Sequence, residues 1–357
     1  YYDKKYLSFI NFFREIAVKI HHDPISIKNY INHPSIFELT FDRDSSCFNR
    51  TRLLEALSYG DAGVLLACPG PSLSGILIRQ IGSPEQKDYF FNYIEKNKAH
   101  TFFAVTEPHC GSDVSQIKTQ VTKQSKSYTI SGQKYLVGHA ADASIGVVLV
   151  KMSQNVFDIG SILLMPNNLQ ENETYLSRYP LNMILLKGAS LGEIHFKELS
   201  LYEDNILGKN QSFIKRGMFS LIKTFNQMRP AVAAFALGTA QAILEAIFYF
   251  KKKIKLDEKN RLQELNFKIN LARKFLYKIA EEIDICPEKS AYASLAKIKS
   301  AYLAEESSKL AWELLSPETL WENFLLWKWC EDAYAYEYME GTSLIHRKNI
   351  ASLGEKL

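Results

Sequence analysis

Apolar residues recur at three- and four-residue spacing over the first hundred positions. Over the second hundred they alternate or gather in short runs, and then they return to helical spacing. Phe9, Phe12, Phe13, Ile16 and Ala17 mark an amphipathic helix, and residues 52–66 and 85–94 read the same way. Between these two, residues 69–75 hold two prolines and two glycines, which must break or begin helices. Residues 127–131 and 193–197 alternate as strands do, and residues 145–150 and 161–165 are short apolar runs. Ser131-Gly132, Pro166-Asn167-Asn168, Gly188 and Gly192 are expected to separate them as turns. Helical spacing resumes at about residue 209. A long helix is expected over 218–248, alanine- and leucine-rich from 231 to 246, followed by helices over 262–283 and 290–315 and short helices flanking 338–347. The charged stretch 251–261 reads as a solvated helix end or loop. This order predicts an α+β protein with an N-terminal helical domain (1–100), a central β domain (101–208) and a C-terminal helical domain (209–357).

Composition narrows the picture by exclusion. The chain is 46% hydrophobic and 23% charged, which rules out wholesale disorder. A net charge of +4 gives no reason to expect nucleic acid. No apolar run approaches the length of roughly 20 residues that a membrane span requires. The chain begins at Tyr1, so a preceding segment is expected, and no signal peptide is read in the residues present. Cys47, Cys68, Cys110, Cys286 and Cys330 form no Cys-x-x-Cys pair and are expected to be reduced thiols in a cytoplasmic protein. The histidines are scattered, and no metal site is expected.

Four local motifs carry the candidate chemistry. Residues 104–113 read Ala-Val-Thr-Glu-Pro-His-Cys-Gly-Ser-Asp. Here Gly111 permits close backbone approach, and Thr106 and Ser112 offer hydroxyls to a planar ring or a phosphate. Ser131-Gly132-Gln133-Lys134 reads as a tight turn leading into Tyr135-Leu136-Val137-Gly138. Gln227-Met228-Arg229-Pro230 opens the alanine-rich helix, with Pro230 suited to a first turn. Gly238 inside that helix is expected to admit a second backbone. Residues 337–347, Glu-Tyr-Met-Glu-Gly-Thr-Ser-Leu-Ile-His-Arg, set Glu340 before Gly341 among apolar neighbours, where burial raises a carboxyl toward the range of a general base. Each alone is equally well a capped turn or a helix start.

In this order and spacing the four motifs resemble the acyl-CoA dehydrogenase family. Tyr59-Gly60-Asp61-Ala62-Gly63, Gly82 with Gln86-Lys87, and Asn205-Ile206-Leu207-Gly208 extend the likeness from about residue 50 to the end. The resemblance implies the acyl-CoA dehydrogenase fold, with a helical domain, a β-barrel-like domain and a four-helix bundle, in a homodimer or homotetramer with FAD between β domain and bundle. It implies FAD contacts at Phe103, Val105, Thr106, Gly111, Ser112, Leu136, Gly138, Thr342 and Ser343. It implies substrate contacts at Ser112, Asn226, Arg229 and Gly341. Glu340 stands at the family's base position, where it would take the α-proton while hydride leaves the β-carbon for the flavin. Its backbone N–H would help bind the thioester oxygen. Met228 occupies the alternative base position of some branches and has no base to offer.

The chain also departs from the family pattern. Leu136-Val137-Gly138 replaces Trp-Ile-Thr, Glu313-Leu-Leu-Ser-Pro317 stands where Gln-x-x-Gly-Gly holds the neighbour's FAD, and Arg-x-x-Phe-Gly is not recognisable around 254–262. Pro69 and Pro71 reshape the segment that lines the family's acyl pocket, which favours a short or polar acyl group. These departures are similar to homologues in polyketide and nonribosomal peptide pathways that make hydroxymalonyl or aminomalonyl units on an acyl carrier protein. The implied partner is an acyl thioester of a carrier protein or of CoA, with no nucleic acid or membrane and with the electron acceptor open. An ordinary acyl-CoA dehydrogenase, a flavin monooxygenase on the same fold and a non-catalytic carrier-binding relic remain as alternatives.

Overall fold

The computed structural model describes all residues except 1, 3, 42–45, 125–126, 154, 156–157, 171–173, 288–290 and 355–357. Five α-helices come first: α1 (Leu7–His22), α2 (Pro34–Phe41), α3 (Cys47–Ala67), α4 (Ser72–Ile81) and α5 (Pro84–Asn97). The Pro69–Pro71 stretch is the corner between α3 and α4, whose axes bend by 80° there. Thr101 Oγ1 pins the corner by donating to the Gly70 carbonyl at 2.6 Å. Asp61 leaves helical geometry inside α3 and accepts the Val64 N–H at 2.8 Å, capping the second half of that helix.

Seven strands follow: β1 (Thr101–Ala104), β2 (Gln120–Gln124), β3 (Ser127–Val137), β4 (Ile145–Lys151), β5 (Ile159–Leu164), β6 (Leu176–Pro180) and β7 (Gly192–Leu201). They form one mixed sheet in the order β1-β4-β2-β3-β7-β6, with β5 on β4. β1 pairs parallel to β4, and β3 pairs antiparallel to β2 and β7. The sequence reading of Ser131–Lys134 as a tight turn is corrected here, because β3 runs straight through it. Gly132 sits at φ 142° beside a register shift against β7, and a Cβ there would lie 2.6 Å from the Thr119 Cα. The glycine therefore serves a bulge and a close approach rather than a reversal. β1, β2 and β6 escaped the sequence reading because they are four or five residues long and β2 buries only Val121.

The remaining helices are α6 (Ser220–Phe250), α7 (Leu256–Ile285), α8 (Ala291–Leu314), α9 (Pro317–Glu322), α10 (Phe324–Asp332) and α11 (Ser343–Gly354). α6 lies at the centre, packed on α3, α7 and α8. A Cβ on Gly238 would fall 2.4 Å from the Glu55 carbonyl oxygen of α3, as the expected close backbone approach requires. Pro230 is not in a first turn, as the sequence suggested, but ten residues inside α6. Pro230 removes the N–H that would pair with the Asn226 carbonyl, and one residue further on the Gln227 carbonyl accepts from Arg50 Nη2 of α3 at 3.0 Å. α6 also holds a window long and apolar enough to cross a membrane, contrary to the sequence reading, and 83% of that window is buried inside the fold. The charged stretch before α7 is a solvated helix start, with the Glu258 carboxylate accepting the Lys255 N–H at 2.9 Å.

A buried charge network joins the three regions. Lys328 of α10 donates to Asp61 of α3 and to Asp332, both at 2.7 Å, and Asp332 accepts the Leu186 N–H at 2.6 Å. The network locks α3 and α10 to the loop between β6 and β7.

Candidate functional site

The sheet side of the groove is built around one satisfied ion pair. Residues 105–112 leave β1, and Glu107 and Cys110 exchange backbone hydrogen bonds of 2.9 and 3.0 Å to form a tight turn. The Glu107 carboxylate accepts from Lys134 Nζ at 2.8 Å, from the Lys118 N–H at 2.6 Å and from the Thr119 N–H at 2.9 Å. Burial alone would raise this carboxyl, but Lys134 and the two amides hold it below its ordinary value. Lys134 Nζ also donates to the Val105 carbonyl at 2.9 Å, and the Tyr135 N–H donates to the Thr106 carbonyl at 2.8 Å. The Thr-Glu-Pro and Gly-Gln-Lys motifs are thus two halves of one clamp that fixes the backbone at Val105 and Thr106.

That clamp presents the predicted sheet-side residues. Gly111 and Ser112 are exposed, and the hydroxyls of Thr106 and Ser112 have no hydrogen-bond partner among the described residues. Leu136 stands at φ 55° with its side chain 44% exposed, an apolar surface on the open side of β3. Gly138 has room for a side chain, since a Cβ would meet only the Ala189 carbonyl oxygen at 3.5 Å. The Val105 side chain is instead buried with Ile117, Leu149 and Leu221. Phe103 meets Phe225 of α6 edge-on with ring centres 6.2 Å apart, which brings the sheet side against the bundle.

The bundle side contributes a strained loop held from below. Glu340 lies at φ 53° and Gly341 at φ 97°, both in the left-handed region. Lys297 of α8, fully buried, donates to the carbonyls of Glu337 and Gly341 at 2.7 Å each and so grips the loop on both sides of Glu340. Glu337 accepts the Ser343 N–H at 2.7 Å and its hydroxyl at 2.5 Å, capping α11. Ser343, expected at the cofactor, has both polar groups committed to Glu337, whereas the Thr342 hydroxyl has no partner among the described residues. His346 closes the floor, with Nδ1 3.0 Å from Ser294 Oγ. Burial lowers it to about 4, so it is neutral.

Within this loop the Glu340 carboxyl is left open. Its Oε2 is buried and has no hydrogen-bond partner among the described residues. Burial raises the carboxyl to about 7, against the opposing pull of the Arg229 and Lys297 charges. Arg229 of α6 is buried, donates from Nη1 to Asn226 Oδ1 at 2.6 Å, and leaves Nε without a partner. Burial lowers Lys297 to about 8, with Glu337 and Glu340 working the other way. An unpartnered acceptor and an unpartnered donor in one desolvated site are what a group carrying both an acidic C–H and a polar oxygen requires.

Before Arg229 on α6, Lys223 and Gln227 line a cleft of about 460 Å³ together with Arg50, Arg79 and Gln80. Asp284 is its acidic wall, and both its carboxylate oxygens cap α3 through the Cys47 and Phe48 N–H groups at 2.6 and 3.0 Å.

Of the predicted residues, Asn226 holds Arg229, whose charge reaches Glu340, while Val105 and Thr106 are tied to the strand that carries Leu136 and Phe103 meets α6 at Phe225. Sequence reasoning missed Lys297, Glu337 and the Glu107–Lys134 pair. Lys297 did leave a signal, since it falls on the helix face of Ala293, Ala296 and Ser300, where an apolar or small residue is expected.

Comparison with known proteins gives a consistent picture. Residues 215–353 match the family model "Acyl-CoA dehydrogenase, C-terminal domain", and residues 102–199 match "Acyl-CoA dehydrogenase, middle domain". The chain is 28% identical over 313 residues to a probable medium-chain specific acyl-CoA dehydrogenase of Caenorhabditis briggsae, covering 83% of this chain and 73% of that protein. In structure it is similar to butyryl-CoA dehydrogenase from Megasphaera elsdenii, with a TM-score of 0.85 at 20% identity over 98% of this chain and 97% of that one. It is also similar to the prolyl acyl carrier protein oxidase AnaB, with a TM-score of 0.82 at 19% identity over 99% of both chains. The architecture is that shared fold.

Proposed function

Because this chain belongs to the acyl-CoA dehydrogenase family, we propose that it is an FAD-dependent oxidoreductase that oxidises a short acyl group held as a thioester on a carrier protein. The observation that carries the oxidoreductase reading is the Glu340 carboxyl, desolvated to a pKa of about 7 with Oε2 unpartnered beside Arg229.

The residues present fit FAD. The fixed backbone at 105–106, the unpartnered hydroxyls of Thr106, Ser112 and Thr342, the exposed Leu136 and the room at Gly111 and Gly138 together form a surface for a flat, hydroxyl-bearing and phosphate-bearing group. Bound FAD supplies a two-electron acceptor for hydride. Glu340 does the proton chemistry. Near pH 7 about half of such carboxyls are ionised, and the ionised form takes the α-proton at Oε2 as the β-carbon gives up its hydride. Lys297 keeps the loop in its left-handed form while this happens. Arg229 offsets the carboxylate charge before the transfer. For a carrier-bound aldehyde hydrate, the same carboxylate takes a hydroxyl proton, and the carbon that loses hydride becomes a carboxylic acid.

Three features support the finer reading. The Pro69–Pro71 corner is pinned and stiff, which suits a short acyl group better than a long chain. Arg50 of α3, Arg79 of α4 and Lys223 near the N-terminus of α6 line one cleft, where a phosphate-bearing arm would be neutralised. One solved protein of this fold is named for oxidising a prolyl group on an acyl carrier protein, so the architecture accommodates a tethered substrate. The same cations also suit the phosphates of CoA, and desaturation of an acyl-CoA is the second reading. A cytoplasmic location and a homodimer or homotetramer belong to the same proposal.

The test is anaerobic titration of the FAD-loaded protein with thioester panels, read by loss of flavin absorbance. Bleaching by three-carbon hydroxy- or amino-aldehydes on a carrier protein, and not by butyryl- or octanoyl-CoA, supports the finer reading. Rapid bleaching by the CoA esters alone replaces it with the second.

A further inference from the structure

Outside the groove, His100, His139 and Asp142 converge where the end of α3 meets the start of β1 and the loop after β3. Their exposures are 5%, 12% and 15%. His100 Nε2 lies 2.8 Å from the Ala67 carbonyl oxygen, and His139 Nε2 lies 2.8 Å from that of Leu66. A carbonyl only accepts, so each Nε2 carries its hydrogen, and Nδ1 is a bare lone pair on a ring that holds no second proton. Both Nδ1 atoms face the Asp142 carboxylate, His100 at 3.8 Å and His139 at 3.3 Å. Asp142 Oδ1 is buried with no hydrogen-bond partner among the described residues, and Oδ2 lies 3.4 Å from His139 Nδ1. With both rings unprotonated at Nδ1, three acceptors point at one another in a largely buried site, an arrangement relieved by one shared cation, either a proton on His139 Nδ1 or a metal ion.

We propose that this cluster binds a zinc-class divalent transition metal ion. Two imidazole nitrogens and one carboxylate suit such an ion, whereas calcium and magnesium prefer oxygen shells. Donation of the far ring N–H to a backbone carbonyl is the outer-shell arrangement that metal-binding histidines use to fix tautomer and ring direction. The three ligand atoms lie within 4.8 Å of one another, and a tetrahedral ion with bonds of about 2.0–2.1 Å needs them roughly 3.3 Å apart. Side-chain rotation of about 1 Å closes that gap. Lys28, exposed and close enough for its charge to reach both His100 and Asp142, opposes the cation, so the affinity is modest. The bound ion staples Leu66 and Ala67, the residues just before the Cys68–Pro71 corner, to the sheet. The site is therefore a positioning device for the acyl end of the groove and stands whether or not the substrate proposal does. Scattered histidines led to the expectation of no metal site, because His100 lies far from His139 and Asp142 along the chain and only the fold brings them together.

The test uses the full chain, free of any histidine tag and loaded with FAD, titrated with zinc chloride by calorimetry and examined by zinc-edge X-ray absorption. The expected result is one ion per chain with micromolar affinity and a first shell containing two imidazoles. Asp142→Asn and His139→Gln should weaken uptake roughly tenfold or more, with FAD content retained as the check on folding. No zinc uptake by the folded wild-type protein, or a first shell without imidazole, overturns the proposal and leaves a proton as the shared cation. If the variants fail to fold, the absorption spectrum of the wild-type protein still decides.

Discussion

Two buried glutamates, each in a recognisable motif, are treated in opposite ways. On the sheet side, both oxygens of Glu107 are saturated by Lys134 and two backbone amides, and its carboxyl is held low. On the bundle side, Glu340 keeps a bare Oε2 in a strained loop, and its carboxyl rises to about 7. The difference separates scaffold from chemistry. A carboxylate whose hydrogen bonds are all spent has no lone pair to offer a substrate proton, and one held unsatisfied stores the basicity that the reaction uses.

The comparison breaks first at Glu340. Glu340→Gln is expected to slow anaerobic flavin reduction by about 10³–10⁴-fold while leaving the flavin spectrum and FAD content unchanged, as measured by stopped flow. Glu107→Gln is expected to do the reverse. It leaves Lys134 buried without its charge partner, costing about 3–5 kcal/mol in urea unfolding and loosening FAD, while the protein that remains folded and loaded keeps its α-proton chemistry.

Stability against pH sharpens the contrast. The folded-state pKa of Glu340, about 7, lies above its ordinary 4.5. The unfolded chain ionises first, so stability is lost as pH rises from about 4.5 to 7, and the loss is complete above that range. Glu340→Gln should therefore be more stable than the wild-type protein at pH 8 by about 2–3 kcal/mol and nearly equal to it at pH 4. Equal stability at both values would show that the carboxyl is not desolvated.

Lys297→Met tests the grip on the loop. Loss of two hydrogen bonds to the Glu337 and Gly341 carbonyls is expected to cut turnover by about 10- to 100-fold. Removal of that positive charge should also shift the ascending limb of the pH–rate profile to higher pH, which a general packing defect would not do. The smallest effect is at Leu136. Leu136→Trp should tighten FAD by about 3- to 10-fold, the worth of an added aromatic contact, in fluorescence titration.

What the sequence disclosed follows from where each interaction lies along the chain. Glu340 was legible because base, glycine and hydroxyl occupy consecutive positions, and α3, α5, α6, α7 and α8 were legible because their apolar faces repeat over many turns. Ser131–Lys134 was misread because glycine beside polar residues signals a turn, whereas here the glycine relieves contact with Thr119 inside a strand. Pro230 was misplaced because proline most often marks a first turn, whereas here α6 begins ten residues earlier and is held by packing on α3, α7 and α8. The Glu107–Lys134 pair, the Lys297 grip and the His100–His139–Asp142 cluster each join residues that only the tertiary fold brings together, and no local spacing encodes them.

The most direct test of the central claim is the pH dependence of single-turnover flavin reduction by a reactive thioester under anaerobic conditions. In the free enzyme the rate should climb through one ionisation near pH 7, and both the climb and the fast reduction should vanish in Glu340→Gln. Reduction by Glu340→Gln within tenfold of the wild-type rate, with the same ionisation, would contradict the assignment of Glu340 as the base.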